Sequence, residues 1–192
     1  KGTNEEIIEE IVGLVSERLP KFYKLDKLKD IQILSSMRKG DLGVINLNNE
    51  LQKYLNPPHK FKVEESFQKR IFRVGDKVMQ IKNNYDIYWE KNNDEVEYGS
   101  GVFNGEFGTI IKINESEKQI KIKFDDEKVA WYQYTDLDQI EHAYAITVHK
   151  AQRKWVWCGI NANISVFSNA FNKKSIIHRN DKSKKTFNNN RK

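Results

Sequence analysis

From about Phe61 the hydrophobic period of this chain falls from the roughly 3.6 residues of a helix to two, and after Leu137 it rises again. One regular layer cannot satisfy both patterns, so the chain reads as an α/β layer interrupted by an all-β insertion. Ahead of the change, Thr3 and Glu6 form a capping box. Ile7, Ile8, Ile11, Val12, Val15 and Leu19 then make an apolar stripe at helical spacing, which predicts a core-packing helix ending at Pro20. Asp30–Leu34 has strand character and runs into the polar turn Ser35–Gly40. Leu42, Val44, Leu47, Leu51 and Leu55 return to helical spacing until Asn56-Pro57-Pro58 stops them. In α/β folds a loop at the carboxyl end of a strand is where ligands sit, so Arg38 and Lys39 are candidate anion contacts as well as ordinary solvated charges.

The inserted stretch is a succession of short strands. Phe72–Ile81 alternates about a Gly-Asp turn, Val102–Ile113 has glycines placed for a tight bend, and Ile120–Phe124 pairs back across the Asn114–Lys118 turn. Val129–Tyr134 adds one more, while Asn83–Ser100 reads as a polar, turn-rich connection. Strands at this spacing predict a small closed barrel over 61–137, with Phe103, Phe107 and Phe124 in its core. After Leu137, residues Ala143 to Lys150 read as helix again.

Charge and cysteine content narrow the function classes. The net charge is +6, but residues 153–192 hold ten Lys or Arg against the single acid Asp181, so the body of the chain is net acidic. Overall basicity therefore says little about what the folded part binds. With Cys158 the only cysteine, no internal disulfide and no thiolate metal cluster is available. No apolar run approaches the ~20 residues of a membrane span, and no signal-like segment opens the chain. The expectation is a cytoplasmic location with no membrane partner.

Three stretches carry a family resemblance. DIQILSSMRKGDLGVINLN (Asp30–Asn48), FRVGDKVMQIKNNY (Phe72–Tyr85) with VFNGEFGTI (Val102–Ile110), and AYAITVHKAQ (Ala143–Gln152) closely resemble RecD/TraA-type superfamily 1 DNA helicases. The first departs from the family at Ser36, where a proline is usual. The resemblance implies an ATP-driven motor moving 5′ to 3′ on single-stranded DNA, like the alpha subunit of exodeoxyribonuclease V. It implies a partial, incomplete RecA-like second motor domain bracketing a Src-homology-3-like barrel. Residues 1–60 and 138–152 would be motor domain, and 61–137 the barrel. Carried over position by position, Arg38, Lys39 and Gln152 face the nucleotide, and Thr147, His149 and Lys150 face the DNA. The barrel touches DNA through Lys77, Lys82, Tyr85 or Trp89; for Tyr85 and Trp89 the competing role is barrel packing.

The same resemblance implies what is missing. There is no G-x-x-x-x-G-K-[ST] in the sequence, so no loop here cradles nucleotide phosphates. No residue is singled out as catalytic or metal-ligating, and the fragment alone is expected to bind no cofactor; ATP and Mg²⁺ belong to the intact parent. The implied partners are single-stranded DNA, the parent's first motor domain and other recombination-nuclease subunits. After Gln152 the family pattern stops. A one-nucleotide shift of reading permits QGSGYG from Gln152 and RNLLYTAMTRAKK from Lys173–Lys185, forms the family shows in its fifth and sixth motifs. Residues 153–192 are therefore expected to be a frameshifted or disordered tail. The alternative function is a stand-alone barrel that binds single-stranded DNA or a protein.

Overall fold

The computed structural model describes residues 3–92, 95–150, 156–161 and 164–168, the last two stretches as backbone alone. In α1, Asn4–Gly13, the capping box is made in full: Glu6 N–H donates to Thr3 Oγ1 (3.3 Å), and Thr3 N–H donates to Glu6 Oε2 (2.9 Å). Pro20 does not end the helix, contrary to the sequence expectation. A wider turn, Leu14–Arg18, leads into α2, Leu19–Tyr23, and Leu19 N–H reaches back to Leu14 O. That shift of the ladder falls just where the proline has no N–H to give. The helix stops at Lys24, in the left-handed region at φ 54°.

Strand β1, Ile31–Ser35, is buried at all five positions. Its Ile31 and Ile33 pack with Ile11 and Val15 of the N-terminal helix and with Leu47, Leu51 and Leu55 of α3, Val44–Leu55.

The next nine strands are the inserted unit. A hairpin of β2, Glu64–Phe67, and β3, Arg70–Arg73, leads into β4, Lys77–Gln80. Asn83–Ser100 is not a turn-rich connection but most of a long hairpin, β5, Asn84–Asn92, with β6, Val96–Val102. Its pattern was masked because Tyr88, Val96 and Tyr98 face solvent, which leaves little apolar alternation to read. Then come β7, Phe107–Asn114, β8, Gln119–Phe124, β9, Val129–Gln133, and β10, Ile140–His142. The seven-stranded sheet runs β10-β4-β7-β8-β9-β5-β6. It curls around Phe72, Val78, Ile110, Ile120, Ile122, Tyr132, Leu137 and Ile140. The curl is tight enough for Tyr132 of β9 to donate to Gln80 Oε1 of β4 (3.0 Å) and for Asn84 to donate to Gln139 Oε1 (2.9 Å). No ladder joins edges β6 and β10 among the described residues, so the barrel is near closure rather than closed. Phe124 is core as expected and Phe107 is half-buried, whereas Phe103 is 40% exposed at the rim.

The chain then returns to the first sheet as strand, not helix. β11, Ala145–Thr147, pairs in parallel with β1, setting Ser35 beside Thr147. A short 3₁₀ turn, Val148–Lys150, follows. Ala143, Tyr144, Ala145 and Ile146 are all buried, and a strand buried on both faces gives a continuous apolar run that periodicity cannot separate from a helix. The backbone of β12, Val156–Asn161, and β13, Ile164–Ser168, completes the order β11-β1-β13-β12. The expected frameshifted or disordered tail otherwise lies outside the described residues. Among those described, no helix is long and apolar enough to cross a membrane.

Two devices fix the barrel to the sheet. Leu34 and Ile146 pack against Met79, Ala143, Ile81 and Phe107. Beside them Asp76, fully buried, accepts from Asn56 Nδ2 (2.7 Å), Gln52 Nε2 (2.6 Å), Tyr144 OH (2.8 Å) and Arg73 N–H (2.8 Å), and lies 3.0 Å from His142 Nε2. One carboxylate thus ties α3, the β3–β4 turn, β10 and the entry to β11.

Candidate nucleic-acid interface

The parallel strands β1 and β11 end side by side, and the loop after β1 is folded back on itself there. Ser35 Oγ donates to Leu42 O (2.7 Å) and accepts from Met37 N–H (3.1 Å). Val44 N–H donates to Met37 O (3.0 Å) and Ile45 N–H to Arg38 O (3.2 Å). The first amides of α3 are therefore used by the loop, which leaves anion binding at this edge to side chains. A Cβ at Gly43 would lie 2.5 Å from the carbonyl carbon and oxygen of Lys39, so only glycine permits this loop. Gly43→Ala is expected to destabilise by about 1–3 kcal/mol and to displace Arg38 and Lys39, read as a lowered urea midpoint.

Arg38 and Lys150 converge on one carboxylate from opposite loops. Arg38 Nη2 lies 2.5 Å from Glu141 Oε1, and Lys150 Nζ lies 3.7 Å from Glu141 Oε2. Arg70 stands behind them, donating to Leu137 O (3.2 Å) and Ile140 O. Burial lowers the pKa of its guanidinium, against the opposing pull of Glu141 and Asp138. Lys39 and His149 are exposed, Thr147 is half-buried, and Met37 and Val148 add exposed apolar surface. Arg38 and Lys150 thus share Glu141, with Arg70 close enough to feel both Glu141 and Asp138. With Arg38 54% exposed, its ion pair is worth only ~0–1 kcal/mol, so a phosphate can compete for these cations.

Half of the expected residues meet here, and half do not. Arg38, Lys39, Thr147, His149 and Lys150 share the carboxyl end of β1 and β11. Gln152 lies outside the described residues. Lys82 is exposed and paired with Asp138, and Tyr85 is 66% exposed, edge-on to Phe103 at 5.5 Å. Trp89 is packed into the barrel instead: a Cβ at Gly99 would lie 2.3 Å from its ring. Lys77 is a correction, since it is buried with its ammonium donating to Ile31 O (3.2 Å), pinning β4 to β1 rather than facing DNA. Sequence reasoning missed Glu141 and Arg70. No motif marks them, and only the fold brings Glu141 to Arg38.

Burial pushes the Lys77 ammonium down to about 8, against the opposing charges of Asp125, Asp26 and Asp30. Unfolded, this lysine holds its proton up to its ordinary 10.5, so above about pH 8 its contribution makes stability rise with pH. Urea midpoints should rise for the parent between about pH 8 and 9, before the phenols of Tyr132, Tyr134 and Tyr144, pushed up by burial, begin to act in the opposite sense, and Lys77→Met should lose this rise.

Comparison with known proteins adds the following. Residues 47–124 match the family model for the SH3 domain of ATP-dependent RecD-like DNA helicases. An uncharacterized protein of Methanocaldococcus jannaschii is 35% identical over 135 residues, 64% of this chain and 11% of that protein. The ATP-dependent RecD2 DNA helicase of Deinococcus radiodurans is 33% identical over 123 residues, 64% of this chain and 14% of that protein. The chain thus spans a small part of either relative's length. A solved structure of two coordinating Pif1 helicases on forked double-stranded DNA overlaps 79% of this chain and 34% of its own at 15% identity. The TM-score of that overlap is 0.29.

Proposed function

We propose that this chain, whose residues 47–124 match the family model for the SH3 domain of RecD-like helicases, supplies single-stranded DNA grip and part of the ATP-closing surface to an ATP-dependent 5′-to-3′ DNA helicase. On this reading the layer around β1 and β11 is part of a RecA-like second motor domain, and its partner is the first motor domain of the parent. The observation that carries the proposal is the convergence of Arg38, Lys39, Thr147, His149 and Lys150 on one strand edge. Lys39 is the nucleotide-facing side of that edge; Arg38, held beside Lys150 by their shared partner Glu141, joins Thr147, His149 and Lys150 on its DNA side. ATP and Mg²⁺ bind across to the first motor domain, because this sequence has no loop of its own for the phosphates. A cytoplasmic location follows from that role.

Anisotropy of a labelled oligonucleotide titrated with the full chain tests this reading. Saturable binding to a single strand at low salt, weakening as salt rises, with no ATP hydrolysis by the chain alone, is the expected result. A folded chain that ignores single-stranded DNA at low salt would overturn it.

A further inference from the structure

The outer face of the barrel carries a second, unassigned feature. Along β9 the buried residues are Ala130 and Tyr132, which leaves Trp131 pointing outward, 37% exposed. Trp131 pairs with Lys121 of β8, and Lys121 pairs with Lys112 of β7. On the other side, β5 pairs with β9 through Trp89↔Ala130 and Glu90↔Val129, so one step further along that register sets Tyr88 beside Trp131. Tyr88 is 81% exposed. Tyr88, Trp131, Lys121 and Lys112 therefore form one row across four strands, about 14 Å long at the usual strand spacing. The Lys121 ammonium lies 5.2 Å from the Trp131 ring centre and that of Lys112 lies 5.9 Å away. Lys121 also reaches Glu90 (3.2 Å), while Lys112 meets no carboxylate among the described residues.

Two rings followed by two cations on the outer, solvated face of the sheet is an arrangement the barrel's own packing does not need, because its core lies on the opposite face. Exposed rings offer stacking surfaces, and ammonium groups beside them offer phosphate contacts. A duplex hides its base faces, whereas an unpaired strand presents them. None of the four residues belongs to the cluster around Glu141.

We propose that this row is a stacking platform for single-stranded DNA, separate from the strand-edge interface. It rests on the reading of the chain as a DNA-gripping part. Bases stack on Tyr88 and Trp131, and the flanking phosphates meet Lys121 and Lys112.

The test is anisotropy of a fluorescein-labelled oligothymidylate with the full chain and five variants, each checked for its thermal transition. Trp131→Ala and Tyr88→Ala are each expected to weaken binding about ten-fold or more. Trp131→Phe, which keeps a ring, retains most of the affinity. Lys112→Gln lowers the log–log salt slope by about 0.7. If Trp131→Ala and Tyr88→Ala bind like the parent while Arg38→Ala weakens binding, the platform is wrong and the strand-edge interface stands. If the alanine variants weaken binding and Arg38→Ala does not, the platform stands and the strand-edge site falls. If the parent binds no oligothymidylate, both are wrong. Should Trp131→Ala alone fail to fold, the more exposed Tyr88→Ala decides.

Discussion

Alanine at Asp76 is expected to remove about 3–5 kcal/mol of folding free energy, a large share of what a domain this size has to lose. The magnitude follows from what is stranded. Asn56, Gln52, Tyr144, His142 and the Arg73 amide all lose a partner inside the protein, where replacement by water is blocked. The loss also uncouples elements, since the carboxylate is where α3, the β3–β4 turn and the entry to β11 meet. Urea unfolding followed by circular dichroism measures it, and a change under about 1 kcal/mol would mean that the junction is held by the apolar contacts alone. An acid-side signature comes with it. Burial alone would raise the Asp76 carboxyl, but the hydrogen bond and charge of His142, with the bonds from Asn56 and Tyr144, outweigh burial and hold it below the ordinary carboxylate value. A depressed carboxylate gives stability that is complete above its unfolded value of about 3.9 and lost as pH falls through the folded one. Below about pH 4 the parent should therefore lose stability more steeply than Asp76→Asn does.

The second large effect is on binding rather than folding. Arg38→Ala and Lys150→Ala should each weaken single-stranded DNA binding about ten-fold, the scale of one charge-assisted hydrogen bond. Neither should cost more than about 1 kcal/mol of stability, because removing either cation leaves Glu141 paired with the other. That separation matters: a variant that binds poorly and melts early says nothing about the interface. Affinity and urea midpoint measured on the same preparations check it.

Sequence reading reached furthest where the physics is local. The Thr3–Glu6 capping box, the α3 stripe and the β7–β8 hairpin are each set by residues within a few positions of one another. It failed where burial or exposure removed the pattern. Ala143–Ile146 looked helical because both faces of β11 are covered, and the β5–β6 hairpin looked like loop because its outer face is bare. Pro20 was read as a stop because its lost hydrogen bond is local, whereas the wider turn ahead of it was not visible. At the site, Arg38 and Lys150 were legible through the family motifs. Glu141, which brings them together, and the buried state of Lys77 are products of tertiary packing. The row through Trp131 depends on the registers of three strand pairs and carries no motif at all.

If Arg38 and Lys150 meet phosphates of a single strand, the salt dependence of binding carries their signature. The dissociation constant for a labelled single-stranded oligonucleotide would be measured at several salt concentrations for the full chain and for the Arg38→Ala, Lys150→Ala double variant. Two lost phosphate contacts should reduce the log–log slope by about 1.4, at about 0.7 per contact on a single strand. An unchanged slope would mean that neither cation touches the strand, and the interface assigned to the carboxyl ends of β1 and β11 would be wrong.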